Sequence, residues 1–278
     1  MKVYAEIADI RRQRWLEPRL SWGLVPTMGY LHEGHLSLVR RARQENDRVG
    51  VSIFVNPTQF NNPNDLATYP RNLERDLGLL ANEGVDLVWT PSPEIVYPAG
   101  YQTYVDVTEV TQYLEGPARP GHFRGVATVV AKLFNVFQPR RAYFGQKDAQ
   151  QVVVIKQMVQ DLNFNLEVVV CPIVREADGL AMSSRNANLS PEARQQATCL
   201  YQALTAAKEA IAAGERNAEK LRSLMLGVIH SAELARVDYV SVAQPATLQE
   251  LDVIQDRALL SLAVFVGGVR LIDNMVIE

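Results

Sequence analysis

Cysteine and histidine are scarce in this chain: its 278 residues hold two cysteines, Cys171 and Cys199, and four histidines, His32, His35, His122 and His230. Two separated cysteines exclude a disulfide framework and a thiolate metal cluster, and they fit a reducing compartment, the cytoplasm. Charge of one sign is lacking as well. Lys and Arg total 28 against 31 Asp and Glu, a formal net charge of −3, and no dense basic block occurs. Nucleic acid is therefore not the expected partner. Nor is a membrane, because the most apolar late stretch, Ala258 to Val269, is too short to span a bilayer and is broken by Gly267 and Gly268. Met1 to Trp15 carries Glu6, Asp9, Arg11, Arg12 and Arg14 where a leader would need an apolar core, so no secretory signal is expected. Internal repeats and low-complexity segments are absent. The remaining composition, 47% hydrophobic and 21% charged, is that of a globular protein with length for one large domain or two ordinary ones.

Strand and helix signals alternate from Trp22 to Val170. An apolar run (Trp22, Leu24, Val25) reads as a buried strand, and Arg48–Val55 is a second, rich in β-branched residues. Arg71–Glu83 reads as helix, Asp86–Thr90 as strand, Phe123–Phe137 as helix, Arg141–Phe144 as strand, Ala149–Asp161 as helix and Leu166–Val170 as strand. Such alternation predicts a parallel sheet covered by helices, with ligands at the carboxyl ends of its strands. Beyond about residue 175 the pattern changes. Ser190-Pro191-Glu192 opens a helix that runs to Gly214, a second helix covers Ala218–Glu233, and strands follow at Val237–Ala243, Ala258–Val266 and Val269–Ile277. The expected architecture is a Rossmann-like α/β domain over 1–174 followed by a smaller α+β domain over 175–278.

Four segments carry candidate chemistry. In Val25-Pro26-Thr27-Met28-Gly29-Tyr30-Leu31-His32-Glu33-Gly34-His35 the first strand stops at Pro26 and Gly29, and a helical pattern opens near Gly34 and continues through Leu38, Val39 and Ala42. His32 and His35 thus sit at a helix N-terminus, whose exposed N–H groups favour anions, and two imidazoles there form a plausible cradle for a nucleotide triphosphate. Two other readings stand beside this one: half of a metal site, or loop histidines bonded locally. Their three-residue spacing is not the His-Glu-x-x-His of zinc proteases. Arg40, Arg41 and Arg43 read as the solvated face of the same helix.

Asn56-Pro57-Thr58-Gln59 ends the second strand and offers amides to a carboxylate or hydroxyl, although a polar turn looks the same. Gly145-Gln146-Lys147-Asp148 repeats the strand-to-helix arrangement, with Lys147 as a mobile charge for phosphate and Gln151 one turn on; a solvated loop lysine is the plainer reading. No Walker motif is present. Met182-Ser183-Ser184-Arg185 places two hydroxyls beside a guanidinium after the turn Asp178-Gly179, a set that suits phosphate but also occurs in ordinary serine-rich loops.

In this order and at these spacings the four segments resemble the pantoate–β-alanine ligase (pantothenate synthetase) family. The resemblance runs from about Trp22 to Arg270-Leu271-Ile272-Asp273-Asn274 and takes in Glu115-Gly116-Pro117-Ala118-Arg119-Pro120-Gly121-His122-Phe123-Arg124-Gly125-Val126. The His-Glu-Gly-His and Met-Ser-Ser-Arg elements also look like the two signature motifs of the nucleotidylyltransferase and class I aminoacyl-tRNA synthetase superfamily. Tyr30 and Thr58 fall where variation is expected. The resemblance implies a two-step ligation through pantoyl adenylate, using ATP with Mg2+, by a cytoplasmic homodimer. It implies that Met28, Gly29, Tyr30, Leu31, His32, Glu33, Gly34 and His35 line the nucleotide, with His35 as general acid for pyrophosphate and His32 as a phosphate contact. Gly145, Gln146, Lys147 and Asp148 would bind nucleotide with Lys147 on phosphate. Val174, Met182, Ser183, Ser184 and Arg185 would close over ATP. Asn56, Gln59 and Gln151 would hold pantoate, and Gln59 would also face β-alanine. Two alternatives are another nucleotidylyltransferase, which need not keep both Gln59 and Gln151, and a non-catalytic nucleotide-binding protein, which has no evident use for both His32 and Lys147.

Overall fold

The computed structural model describes all 278 residues, which form two compact units. One comprises residues 1–145 and 151–172, the other 146–150 and 173–278. The first unit is built on six parallel strands: β1 (Lys2–Tyr4), β2 (Trp22–Thr27), β3 (Arg48–Ile53), β4 (Leu87–Trp89), β5 (Arg141–Gly145) and β6 (Glu167–Cys171), in the spatial order β1-β4-β3-β2-β5-β6. The inner strands are apolar on both faces, as helical cover requires: Leu24, Val25, Val49, Val51, Leu87 and Val88 are all buried. Helices α1 (Ile7–Trp15), α2 (Glu33–Glu45), α3 (Pro63–Thr68), α4 (Leu73–Asn82), α5 (Pro93–Val96), α6 (Glu115–Ala118), α7 (His122–Phe137) and α8 (Ala149–Asp161) connect them. Helix α7 is buried around most of its circumference, which explains why its sequence is apolar almost throughout.

From central β2 the chain steps outward through β3 and β4, then returns to place β5 and β6 on the other side. The order therefore reverses between β2 and β5. These two strands pair only at Gly23↔Arg141 and Leu24↔Ala142, whereas β2 and β3 stay paired as far as Thr27↔Ile53. Beyond Leu24 the β2–β5 ladder ends, and this switch point lies toward the carboxyl ends of the strands, where such sheets bind ligands.

The second unit packs α9 (Pro191–Gln196), α10 (Cys199–Ala212) and α11 (Ala218–His230) with the antiparallel sheet β7 (Ala235–Ala243), β8 (Ala258–Val266) and β9 (Val269–Ile277). Its core is built from Leu200, Leu204, Leu221, Met225, Leu260 and Val264. The architecture is thus α/β, a Rossmann-like parallel sheet and a smaller α+β unit. No helix is long and apolar enough to cross a membrane.

Several local expectations are corrected. β1 and α1 give no clear sequence signal, since α1 is mostly charged and buries little beyond Ile10 and Arg14. β3 stops at Ile53, not Val55, because the chain turns toward the Pro57–Gln59 3-10 turn. The expected helix from Ser190 to Gly214 is two helices, interrupted at Ala197 and Thr198, where ψ near −18° and −19° gives a tight turn. Arg43 is not merely solvated: its Nη1 lies 2.7 Å from Asp86 Oδ2, tying α2 to the start of β4.

Gly50 on β3 lies against Phe137 at the end of α7, and a Cβ there would stand 2.6 Å from the ring Cε1. Phe137 is itself 1% exposed and has no room to retreat. Gly50→Ala is expected to cost about 1–3 kcal/mol of stability. Thermal unfolding checks this, with about 2–4 °C lost per kcal/mol in a chain of this size class.

Candidate active site

The carboxyl end of β2 passes to α2 through two successive left-handed residues, Gly29 (φ +83°) and Tyr30 (φ 51°). The turn is held from outside. Asp76, a buried carboxylate on α4, accepts the N–H of Tyr30 at 2.7 Å and of Leu31 at 2.8 Å. Arg75 Nη1 adds a bond of 2.9 Å to the Leu31 carbonyl. Thr27 Oγ1 donates to the Ser52 carbonyl at 2.7 Å and accepts from Gly29 N at 3.2 Å, joining the turn to β3.

His32 then caps α2. Its Nδ1 accepts the Gly34 N–H at 3.1 Å, while Nδ1 of His35 accepts the N–H of His32 at 3.3 Å. The pair forms a capping box made of two imidazoles, with ring centroids 4.0 Å apart. Because both Nδ1 atoms accept backbone N–H groups, each neutral ring carries its proton on Nε2. The local-bonding reading of these histidines is therefore correct for Nδ1, and it fixes Nε2 as a donor. Nowhere are three or more His, Cys, Asp or Glu side chains grouped to hold a metal ion.

Beside this turn lie the amides at the end of β3. Asn56 and Gln59 are both buried, and Gln59 Nε2 lies 3.2 Å from Met28 Sδ, which brings the β2 and β3 ends together. Asn56 Nδ2 donates to Gln59 Oε1 at 2.9 Å and to the Gly125 carbonyl at 3.2 Å. The start of α7 supports this strand end closely: a Cβ on Gly125 would lie 2.4 Å from the Thr58 carbonyl oxygen. His122 Nδ1 donates to the Gln59 carbonyl at 2.8 Å, so its Nε2 accepts from Arg119 Nη1 at 3.1 Å. Gln151 sits on the first turns of α8, on the other side of the β2–β5 switch.

In the second unit, Gln146–Asp148 form a 3-10 turn clasped by Asn274 on β9, whose Nδ2 donates to the carbonyls of Gln146 (3.0 Å) and Lys147 (2.9 Å). Val174 and Met182 face each other across a small hairpin, joined by Met182 N to Val174 O at 3.0 Å. Gly179 (φ +94°) makes its tip, the turn expected at Asp178-Gly179. Ser183 Oγ caps the following 3-10 helix by accepting from Arg185 N at 3.2 Å. Lys147, Ser183 and Arg185 line one small pocket of this unit together with Asp273. Asp273 pairs with Arg175 through two bonds of 2.6 and 2.9 Å.

The cysteines take no part. Burial raises the thiol of Cys171 and pushes that of Cys199 up to about 11, so neither is a thiolate near neutrality.

Asp76 and Tyr97 were not among the residues picked out by motif, and Arg119 appeared only within a longer matching stretch, with no role attached. One signal was available for Asp76: it lies four residues before buried Leu80, so an acid stands in the apolar stripe of α4. Tyr97, whose hydroxyl donates to Asn56 Oδ1 at 2.7 Å, follows α5 and gives no such hint.

A doubly wound sheet whose switch point meets a histidine-capped helix start and a row of buried amides defines a ligand-binding α/β enzyme. Comparisons with known proteins say which. Residues 2–276 match the family model described as pantoate-beta-alanine ligase. A pantothenate synthetase of Roseiflexus sp. (strain RS-1) is 60% identical over 278 residues, covering 100% of both chains. That of Herpetosiphon aurantiacus is 58% identical, covering 99% of this chain and 100% of its own. Among solved structures, the pantothenate synthetase of Thermus thermophilus superposes with a TM-score of 0.94 at 46% identity, with 99% of each chain covered. The pantoate-beta-alanine ligase of Francisella tularensis, complexed with beta-gamma ATP and beta-alanine, gives 0.81 at 40% identity, covering 99% of this chain and 97% of its own. The chain belongs to the pantoate–beta-alanine ligase family, and it is a ligase.

Asp76→Asn keeps the size of the side chain but turns an amide N–H toward one of the two backbone donors. The expected cost is about 2 kcal/mol, the scale of a buried bond to a charged group. Hydrogen exchange checks the cause: the Tyr30 and Leu31 amides should lose protection before those of β3, and unchanged protection would show that Asp76 does not hold the turn.

Proposed function

We propose that this chain condenses pantoate with β-alanine at the expense of ATP, through a pantoyl-adenylate intermediate. The observation that carries the reading is family membership over residues 2–276, joined to a Francisella relative complexed with beta-gamma ATP and beta-alanine. In the first step a pantoate carboxylate oxygen attacks the α-phosphorus of ATP, the bond to the bridging oxygen breaks, and pyrophosphate leaves. In the second, the β-alanine amine attacks the acyl carbon, the acyl–oxygen bond breaks, AMP departs with the electron pair, and the nitrogen loses a proton. Adenylation is needed because oxide is a poor leaving group, and the task of the site is to stabilise charge moving onto pyrophosphate. Magnesium enters as part of the Mg–ATP substrate.

In this reading Met28 to His35 and Gly145 to Asp148 receive the nucleotide, and Val174 with Met182 to Arg185 covers it. His32 and His35 meet phosphate through Nε2–H. His35 acts as general acid for the leaving pyrophosphate or hydrogen-bonds it. Lys147 supplies the mobile positive charge. Asn56, Gln59 and Gln151 hold pantoate, and Gln59 also faces β-alanine. Family resemblance further supports a homodimer working in the cytoplasm.

ATP–pyrophosphate isotope exchange tests the reaction. Pantoate alone should support exchange, whereas steady-state AMP release should also require β-alanine. Exchange that ignores pantoate, or answers to a different acid, would remove the reading and favour another nucleotidylyltransferase.

Lys147→Ala should slow adenylation by about 10²–10³-fold, the scale for removing one preorganised charge-stabilising donor. Single-turnover capture of preformed pantoyl adenylate by β-alanine should be far less affected. Equal damage to both half-reactions would place Lys147 elsewhere in the mechanism.

A further inference from the structure

The amides at the end of β3 have a polarity fixed by groups outside the substrate crevice. The Gly125 carbonyl can only accept, so the Asn56 Nδ2 lying 3.2 Å from it must be the amide nitrogen. The same Nδ2 donates to Gln59 Oε1 at 2.9 Å. With Oε1 occupied, Gln59 directs Nε2 to Met28 Sδ, 3.2 Å away. Asn56 Oδ1 in turn faces two hydroxyls, Tyr97 at 2.7 Å and Thr58 at 3.0 Å, both of which donate to it. Burial pushes the Tyr97 phenol up to about 12, so it stays a donor through the neutral range.

Tyr97 is itself held by edge-to-face aromatics and by cations. Its ring meets Tyr101 edge-on at 5.2 Å, and Tyr101 meets Tyr104 at 5.4 Å. Lys132 Nζ sits 4.2 Å from the Tyr101 ring centre and 5.5 Å from that of Tyr97, and the Arg124 guanidinium covers Tyr104 at 4.2 Å. These contacts fix where the Tyr97 hydroxyl points.

We propose that Tyr97 is a positioning residue for the acid substrate: through Asn56 it holds the Gln59 amide with Nε2 outward, so position 59 can only donate and selects an oxygen acceptor, a carboxylate or hydroxyl of a small hydroxy acid. This rests on the reading of Gln59 as a pantoate contact. Tyr97 acts through Asn56 and not by contact with the acid. Its effect is to remove the flipped amide, which would turn a carbonyl oxygen toward an anionic substrate.

The test is pantoate-dependent ATP–pyrophosphate exchange by Tyr97→Phe, which keeps the ring and its stacking. The KM for pantoate should rise about three- to tenfold, the worth of one hydrogen bond, with the KM for ATP unchanged. In a Gln59→Ala background the same substitution should add less than it does alone, because part of its effect passes through Gln59 and only the part carried by Asn56 itself remains. Multiplying effects in the double variant, or an unchanged pantoate KM in folded Tyr97→Phe, would overturn the proposal. If Tyr97→Phe does not fold, Thr58→Ala removes the other hydroxyl on Asn56 Oδ1 from an exposed turn and should raise the same KM; no rise there also overturns it. Wild-type protein without pantoate-dependent exchange overturns both this role and the reaction it serves, whereas normal wild-type exchange with an unmoved KM in the variants overturns the role alone.

Discussion

The Asp76 carboxylate is the fixed point of the first unit's site. Two consecutive left-handed residues are costly when one of them is not glycine, and Tyr30 at φ 51° is such a residue. Two charge-assisted bonds from Asp76, each of about 1.5–3 kcal/mol, are more than enough to offset a strain of order 1–3 kcal/mol. The consequences run forward along the chain. With Tyr30 and Leu31 pinned, His32 enters α2 at the N-cap in extended geometry, and the two-imidazole capping box can close. A freer turn would let either ring rotate, and the tautomer of both would no longer be set by backbone donors.

The same logic of direction governs the amide row. Backbone carbonyls at Gly125 and Gln59 accept and nothing else, so they dictate the orientation of Asn56 and the tautomer of His122. Asn56 passes that orientation on to Gln59. The outcome is that imidazole Nε2–H and amide Nε2–H groups are preset as donors by bonds on their far sides. Preset neutral donors stabilise anions without the desolvation cost of buried cations.

How much of this was legible in the sequence depends on whether the cause was local. The strands β2, β3 and β5, helix α7 and the start of α2 follow from apolar runs and from Gly29, all written within a few residues; Pro26, expected to stop the first strand, lies inside it, because β2 stays paired with β3 through Pro26↔Ser52 to Thr27↔Ile53. Resemblance in motif order supplied the family. What escaped was set by distant partners. Asp76 reaches Tyr30 across 46 residues, and Tyr97 reaches Asn56 across 41. β1 forms because it pairs with β4 through Lys2↔Leu87 and Tyr4↔Trp89, not because of its own pattern. The break at Ala197–Thr198 lies in a stretch whose apolar spacing continues without interruption, so periodicity alone reads one helix.

The second unit shows why the motif on β9 belongs to the resemblance. Asp273 and Asn274 are neighbours on β9, 2% and 3% exposed, yet they serve two different segments. Asp273 takes the bidentate Arg175 at the base of the hairpin that carries Val174 and Met182. Asn274 donates to the carbonyls of Gln146 and Lys147, and its Oδ1 accepts from Gln146 Nε2 at 3.0 Å. The backbone N–H of Asn274 also donates to Asp273 Oδ1 at 2.8 Å, which helps to hold the carboxylate in place. A carboxylate at 274 would have no donor for the two carbonyls, and an amide at 273 would set a donor against the guanidinium. One ordered dipeptide therefore fixes, within this unit, both the turn that bears Lys147 and the hairpin that leads to Ser183 and Arg185, and the order Asp-Asn follows from what each side chain must accept or give.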